Sequence, residues 1–337
     1  MKKSIAFFLF FIVVFVAGWF LSRYYYSPRT AGNPIAQFKP RPLDKYTIEN
    51  LAKANVPPSE IKIEGVLSED QNFTSNSYSM TFDPTLRQGS GQALKKVTGV
   101  INLPKDNLKH PLILMIRGFV DQQIYTPGTG TKRGAEYFSQ NGFITVAPDF
   151  LGYGSSDKES SNIFESRFQT YTTVLSTLAS LGSIVQWDGK NVFIWSHSNG
   201  GQVALTILEI TKKSCPTVLW APVSKPFPYS ILYYTDESAD LGKLIRQELA
   251  KFESDYDVNL YSLTQYLDRI KAPLEINQGT ADDAVPYAWT KTLVKVLKTN
   301  NPDLKFFTYP GADHNLQPAW DTVIARDLTF FRTHLEN

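Results

Sequence analysis

Residues 193–202 read Phe193-Ile194-Trp195-Ser196-His197-Ser198-Asn199-Gly200-Gly201-Gln202. An apolar run leads into two serines and a glycine pair. A strand that turns sharply into a helix can hold one side chain proud of a sheet, provided the residues two before and two after the tip are small. If Ser196 were the tip, Ile194 would have to be small, and it is not. With Ser198 as the tip the flanking residues are Ser196 and Gly200. Gly201 then lets the new helix pass close to neighbouring strands. Ser198 is therefore the candidate nucleophile. Ser196 is a departure, since this turn commonly has glycine there.

The pattern around this turn supplies its setting. Strands are predicted at 77–82 and 96–103, joined by a Gly/Ser hairpin loop at 87–92. A short helix is expected near 47–55, before Pro57 and Pro58. From residue 111 onward, strands alternate with helices. Strands are expected at 111–118, 143–150, 191–195, 217–223, 273–279 and 305–311. Helices are expected at 131–142, 165–182, 201–211 and 320–335. Near-continuous apolar runs such as Pro111–Gly118 suit strands buried on both faces. The alternation predicts an α/β fold, with a mainly parallel sheet covered by helices on both faces. Ligands bind such sheets at the carboxyl ends of the strands. One stretch breaks the alternation. About 224–270 is expected to form a small helical cap, with Leu241, Leu244, Ile245, Leu249 and Phe252 on one helical face and a second helix over 262–270.

A serine hydroxyl is a weak nucleophile without a base and a group to orient that base. The four histidines are His110, His197, His314 and His334. His110 precedes a strand, His334 ends the last helix, and His197 points away from its neighbour Ser198. Elimination leaves His314, which follows the last strand. The acid is sought after the preceding strand, where Asp282 and Asp283 lie. A buried carboxylate would fix the tautomer of the imidazole. Asp282, three residues past Gly279, is assigned this role, and Asp283 suits a helix cap. Backbone N–H groups of Asn199 and of Phe119, in the loop after 111–118, are expected to receive a developing oxyanion. Arg117 stands where histidine is usual in that loop. Phe119, Phe227, Tyr229, Tyr233 and Tyr234 are candidates to line an apolar pocket.

The chain has 337 residues and a net charge of +2, without a dense basic patch, which argues against nucleic-acid binding. Its single cysteine, Cys215, allows neither an intramolecular disulfide nor a cysteine-based metal site. No metal or organic cofactor is implied. Residues 5–21 are uncharged and apolar and follow Lys2 and Lys3, with Trp19, Phe20 and Tyr24–Tyr26 around the far end of the run. Residues 1–22 are read as a transmembrane anchor or a cleaved signal segment, which places the rest outside the cytoplasmic membrane. Residues 23–45, with Pro28, Pro34, Pro40 and Pro42, read as a linker, and 46–337 as one domain.

Taken together, Ser198, Asp282 and His314 in that chain order resemble the α/β-hydrolase superfamily over roughly residues 75–335. Gly279–Pro286 (Gly-Thr-Ala-Asp-Asp-Ala-Val-Pro) is similar to a segment of prolyl-oligopeptidase-type serine peptidases, as are Ser198–Gly201 and the Asp282-to-His314 spacing of 32. Ala147–Asp157 is similar to a segment shared across the superfamily. The resemblance implies an α/β-hydrolase fold and a serine hydrolase working through a Ser-His-Asp triad on a small peptide, amide or ester. About 75 residues before the core are too few for a β-propeller, and a helical cap is closer to proline-iminopeptidase-like enzymes and esterases. The leading expectation is a prolyl-oligopeptidase-type serine peptidase, with a carboxylesterase or lipase-like esterase as the alternative. The contrasting expectation is an inactive surface scaffold with the same fold.

Overall fold

The computed structural model describes residues 39–86 and 93–336. The apolar run 5–21, most of the linker and the hairpin loop 87–92 lie outside the described residues. Among the described residues no helix is long and apolar enough to cross a membrane. Every described strand and helix lies in the compact unit that begins at Pro42.

The strands are β1 (Lys62–Glu69), β2 (Phe73–Phe82), β3 (Lys95–Pro104), β4 (His110–Ile116), β5 (Ile144–Pro148), β6 (Trp187–His197), β7 (Thr217–Trp220), β8 (Leu274–Gly279) and β9 (Leu304–Tyr309). They form one sheet in the order β1-β2-β3-β5-β4-β6-β7-β8-β9. The β1–β2, β2–β3 and β3–β5 pairs are antiparallel, and every pair from β5 to β9 is parallel. The expected α/β architecture is present. β1 is an addition to the expected strands: all eight of its residues are exposed, so it carries no alternation to read.

The helices are α1 (Ile48–Lys53), α2 (Lys132–Gln140), α3 (Ile163–Ser180), α4 (Asn199–Thr211), α5 (Tyr229–Leu232), α6 (Lys243–Asp255), α7 (Tyr287–Leu297) and α8 (Trp320–Thr333). Side chains of β4 alternate between two cores. Leu112, Leu114 and Ile116 join the larger one with Phe168 of α3, Ala204 and Ile207 of α4, and Leu293 of α7. Ile113 and Met115 join the other with Phe138 of α2 and Ile324 and Phe331 of α8. Burial on both faces explains why the strand sequences are apolar throughout. The second core also encloses Asp327 of α8. Its carboxylate accepts hydrogen bonds from Trp195 Nε1 at 3.2 Å, Trp220 Nε1 at 2.8 Å and Asn277 Nδ2 at 3.1 Å. Burial, and then Glu275 beside it, raises the Asp327 pKa. The C-terminal helix is thereby tied to β6, β7 and β8.

The end of the expected linker belongs to the domain. Pro42–Tyr46 form a 3-10 helix with Leu43 and Tyr46 buried. Lys45 Nζ lies 2.9 Å from Glu165 of α3. The insertion at 224–270 is helical but less regular than predicted. α6 buries only Leu249 and Phe252, while Leu241 and Leu244 are exposed. In place of a second helix, two 3-10 turns cover Leu263–Gln265 and Leu267–Arg269. The insertion packs on α3: Phe252 lies 5.0 Å from Phe164 and 6.3 Å from Phe168, ring centre to ring centre.

Candidate active site

β6 ends at His197, and Ser198 has φ 57° and ψ −121° before α4 begins at Asn199. Such a conformation costs a non-glycine residue about 1–3 kcal/mol, and its surroundings must enforce it. They do so through the backbone. Ser198 N–H donates to the Trp220 carbonyl at 2.9 Å, and the Ser198 carbonyl accepts from Gly201 at 2.9 Å and Val223 at 3.0 Å. The small-residue requirement is literal. A Cβ at Gly200 would stand 2.2 Å from the Ile116 carbonyl oxygen, and one at Gly201 2.6 Å from Pro222 Cβ. Ser196 is fully buried, and its hydroxyl donates to the Val218 carbonyl at 3.2 Å. A hydrogen bond to β7 thus accommodates the polar atom that glycine would lack.

Asp282 and His314, the acid and base expected from the sequence, lie on the loops after β8 and β9. His314 Nδ1 is 3.0 Å from both oxygens of Asp282. Asp282 also accepts from Gln278 Nε2 at 2.7 Å and from the N–H groups of Ala284 at 3.0 Å and Val285 at 2.8 Å. Burial would raise its pKa, but the bonds from His314 and Val285 outweigh this and the pKa is lowered. The carboxylate is the stable form. Asp283 is exposed, and α7 begins after Pro286 without a side-chain cap, so the capping role expected of Asp283 is not observed.

Phe119 and Asn199 line a cavity of about 480 Å³ together with Gly118, Arg167 and Tyr171. The lining includes Asn199 and Gly118 but neither Ser198 nor His314, so the cavity opens beside Ser198. A Cβ added to Gly118 would lie 3.0 Å from Ser198 Cβ, which brings this loop against the turn. Arg117 is buried and holds the loop from within. It donates to the Gly118 carbonyl at 3.0 Å and to the Asp149 carbonyl at 2.9 Å, and its guanidinium lies 4.0 Å from the centre of the Tyr153 ring. Tyr153 in turn donates to the Val120 carbonyl at 2.9 Å. None of the insertion lines this cavity, a correction for four of the five expected pocket aromatics. Phe227 is buried against α3, whereas Tyr229, Tyr233 and Tyr234 gather around Trp289.

His197, expected to point away from Ser198, makes its contacts with His314. Its Nε2–H donates to the His314 carbonyl at 3.0 Å, and the two rings are 4.6 Å apart. Adjacency to Ser198 gives no hint of this contact, which depends on where the β9 loop returns. Desolvation, and then the nearby His314 ring, lowers the His197 pKa to about 4. In the unfolded chain it titrates near 6.5. The folded state therefore resists protonation, and stability falls as pH drops from about 6.5 to 4. For a partly exposed ring this amounts to about 2–3 kcal/mol. The variant His197→Gln keeps a donor and cannot titrate. Urea unfolding at pH 7.5 and pH 4.5 should show a smaller loss for the variant, and equal losses would reject this account.

Comparison with known proteins gives the family and the fold. The profile of the prolyl oligopeptidase family matches residues 130–337. An acetyl esterase of Xylanibacter ruminicola is 23% identical over 271 residues, which cover 73% of this chain and 58% of that protein. The chain thus spans less than two thirds of that relative. An acetyl xylan esterase from Thermoanaerobacterium superposes with a TM-score of 0.61 at 14% identity, covering 88% of this chain and 95% of that one. An acetyl xylan esterase from Paenibacillus gives the same TM-score and identity, covering 88% and 99%. At these identities the structural likeness establishes the fold.

Proposed function

Since the chain belongs to the prolyl oligopeptidase family, and so is a serine hydrolase, we infer that it cleaves carboxylic esters through an acyl-enzyme on Ser198. The observation that carries this reading is the hydrogen-bonded His314–Asp282 pair on the loops after β8 and β9, together with a strained Ser198 at the end of β6. With Nδ1 facing Asp282, His314 Nε2 is left to take the Ser198 proton as Oγ attacks the ester carbonyl. Asp282 stabilises the imidazolium that results. Asn199 is the first residue of α4, where N–H groups have no intrahelical partner, and with Phe119 N–H it receives the oxyanion. His314 returns the proton to the departing alcohol. Water then attacks the acyl-enzyme by the reverse path, releasing the acid and restoring Ser198.

An ester is preferred to a peptide because the named relatives are acetyl and acetyl xylan esterases. A cavity of about 480 Å³ also suits a small substrate. Purified full-length chain should hydrolyse 4-nitrophenyl acetate with a higher kcat/KM than alanine 4-nitroanilide. A preference for the anilide would make it a peptidase. A folded chain that a fluorophosphonate does not label would make it a scaffold. The run at 5–21 supports placement on the outer side of a membrane, by anchoring or after cleavage. Protease added to intact cells should then degrade the hydrolase domain or find it in the medium; a protected domain would reject this placement.

A further inference from the structure

The cavity beside Ser198 contains a charge that the proposed mechanism does not use. Arg167 lies on α3 and lines the cavity together with Ile163, Ser166 and Thr170 of the same helix face. Its Nη2 donates to Gln202 Oε1 at 2.7 Å, and Gln202 is buried in α4, the helix that starts at the nucleophile. Its Nε is buried without a hydrogen-bond partner. Among the described residues Arg167 forms no ion pair. A guanidinium has five N–H donors and pairs with carboxylates through two parallel bonds. Here it is held by Gln202, with Tyr171 interacting beside it, and it keeps donors to offer. The two carboxylates in the same cavity are already engaged. Glu159 accepts from Gln122 at 2.8 Å and from the Ser166 hydroxyl, and Asp121 accepts from Gln123 N–H at 2.8 Å. The cavity runs from Asn199 and Gly118, where the scissile carbonyl would sit, to Arg167.

We propose that Arg167 selects substrate by pairing with a carboxylate carried on the ester, so that the preferred substrates are anionic esters. This rests on the ester-hydrolase reading above. Arg167 touches substrate away from the reacting atoms, so its loss should raise KM for anionic substrates and leave neutral ones nearly unchanged.

Two matched pairs test the proposal on the full-length chain. Mono-4-nitrophenyl adipate against 4-nitrophenyl hexanoate places the carboxylate on the acyl side. 4-Acetoxybenzoate against 4-tolyl acetate places it on the leaving group. In one pair, Arg167→Gln should lower kcat/KM for the anionic member by about ten-fold or more and for the neutral member by less than about three-fold. Arg167→Lys, which keeps the charge but not the fork, should fall between. The pair that responds identifies the side of the ester bond that faces α3. Equal losses within both pairs would overturn the proposal, and so would preference for an ammonium-bearing ester, which would assign the cavity to Asp121 and Glu159. Separately, adipate should slow fluorophosphonate labelling of the parent and not of Arg167→Gln, whereas hexanamide should protect neither. If no ester is hydrolysed, the ester-hydrolase reading fails by itself, and the protection experiment still decides the role of Arg167. Adipate that leaves labelling of the parent unchanged overturns it.

Discussion

Replacing Ser198 with glycine is expected to abolish turnover and raise the melting temperature in the same variant. Loss of the nucleophile should lower kcat by about three to six orders of magnitude, because His314 then has no hydroxyl to activate against the carbonyl. The stability gain has a separate cause. At φ 57° and ψ −121° Ser198 carries strain that glycine does not feel. Glycine loses more backbone entropy on folding, so a net gain of about 1 kcal/mol is reasonable, or a rise of a few degrees in a domain of this size. Ser198→Ala should lose the same activity without the gain, since its Cβ keeps the strain. Calorimetry on the three proteins separates the two effects. If the alanine variant still turns over, Ser198 is not the nucleophile. If the glycine variant melts lower than the alanine variant, the turn stores no strain.

The second large effect separates two adjacent carboxylates. Asp282→Asn should cost about three to four orders of magnitude in kcat. The amide would present N–H to His314 Nδ1 and turn the imidazole to the tautomer whose Nε2 already bears a proton. Asp283→Asn should stay within a few-fold of the parent, because Asp283 is exposed and takes no part in the hydrogen bonds around His314. Equal effects would show that both carboxylates support the base. Asp282 also shapes acid stability. Its folded pKa is lowered, so its contribution is present above the unfolded value near 3.9 and is lost as pH falls through the lower folded value. The Asn variant should lose less stability than the parent over that acid range.

What the sequence reveals and what it hides depend on how local each constraint is. The turn at Ser198 is readable because its steric demands fall within four neighbouring positions, and the carbonyls facing Gly200 confirm that demand. His314 is readable by elimination among four histidines. Asp282 cannot be separated from Asp283 by residue type, since what distinguishes them is the N–H groups of Ala284 and Val285 turning toward one and not the other. Arg117 looks like a defect in the loop because its partners, Asp149 and Tyr153, are more than 30 residues away. The insertion misleads for a related reason. Its apolar residues suggest a roof over the site, but Phe252 and Phe227 complete an aromatic cluster on α3.

Gly279, where β8 ends, is pressed against the loop after β9: a Cβ there would lie 2.3 Å from the Ala312 carbonyl oxygen and 2.5 Å from that of Asp313. The Ala281 N–H also donates to the Ala312 carbonyl at 3.0 Å. Asp282 and His314 thus ride on two segments in main-chain contact, while the walls of the cavity come from α3 and the loops after β4 and β5. Descendants of this chain are free to reshape those walls for new substrates without disturbing the Asp282–His314 pair, and a side chain at position 279 would be the shortest route to separating that pair while leaving the cavity intact.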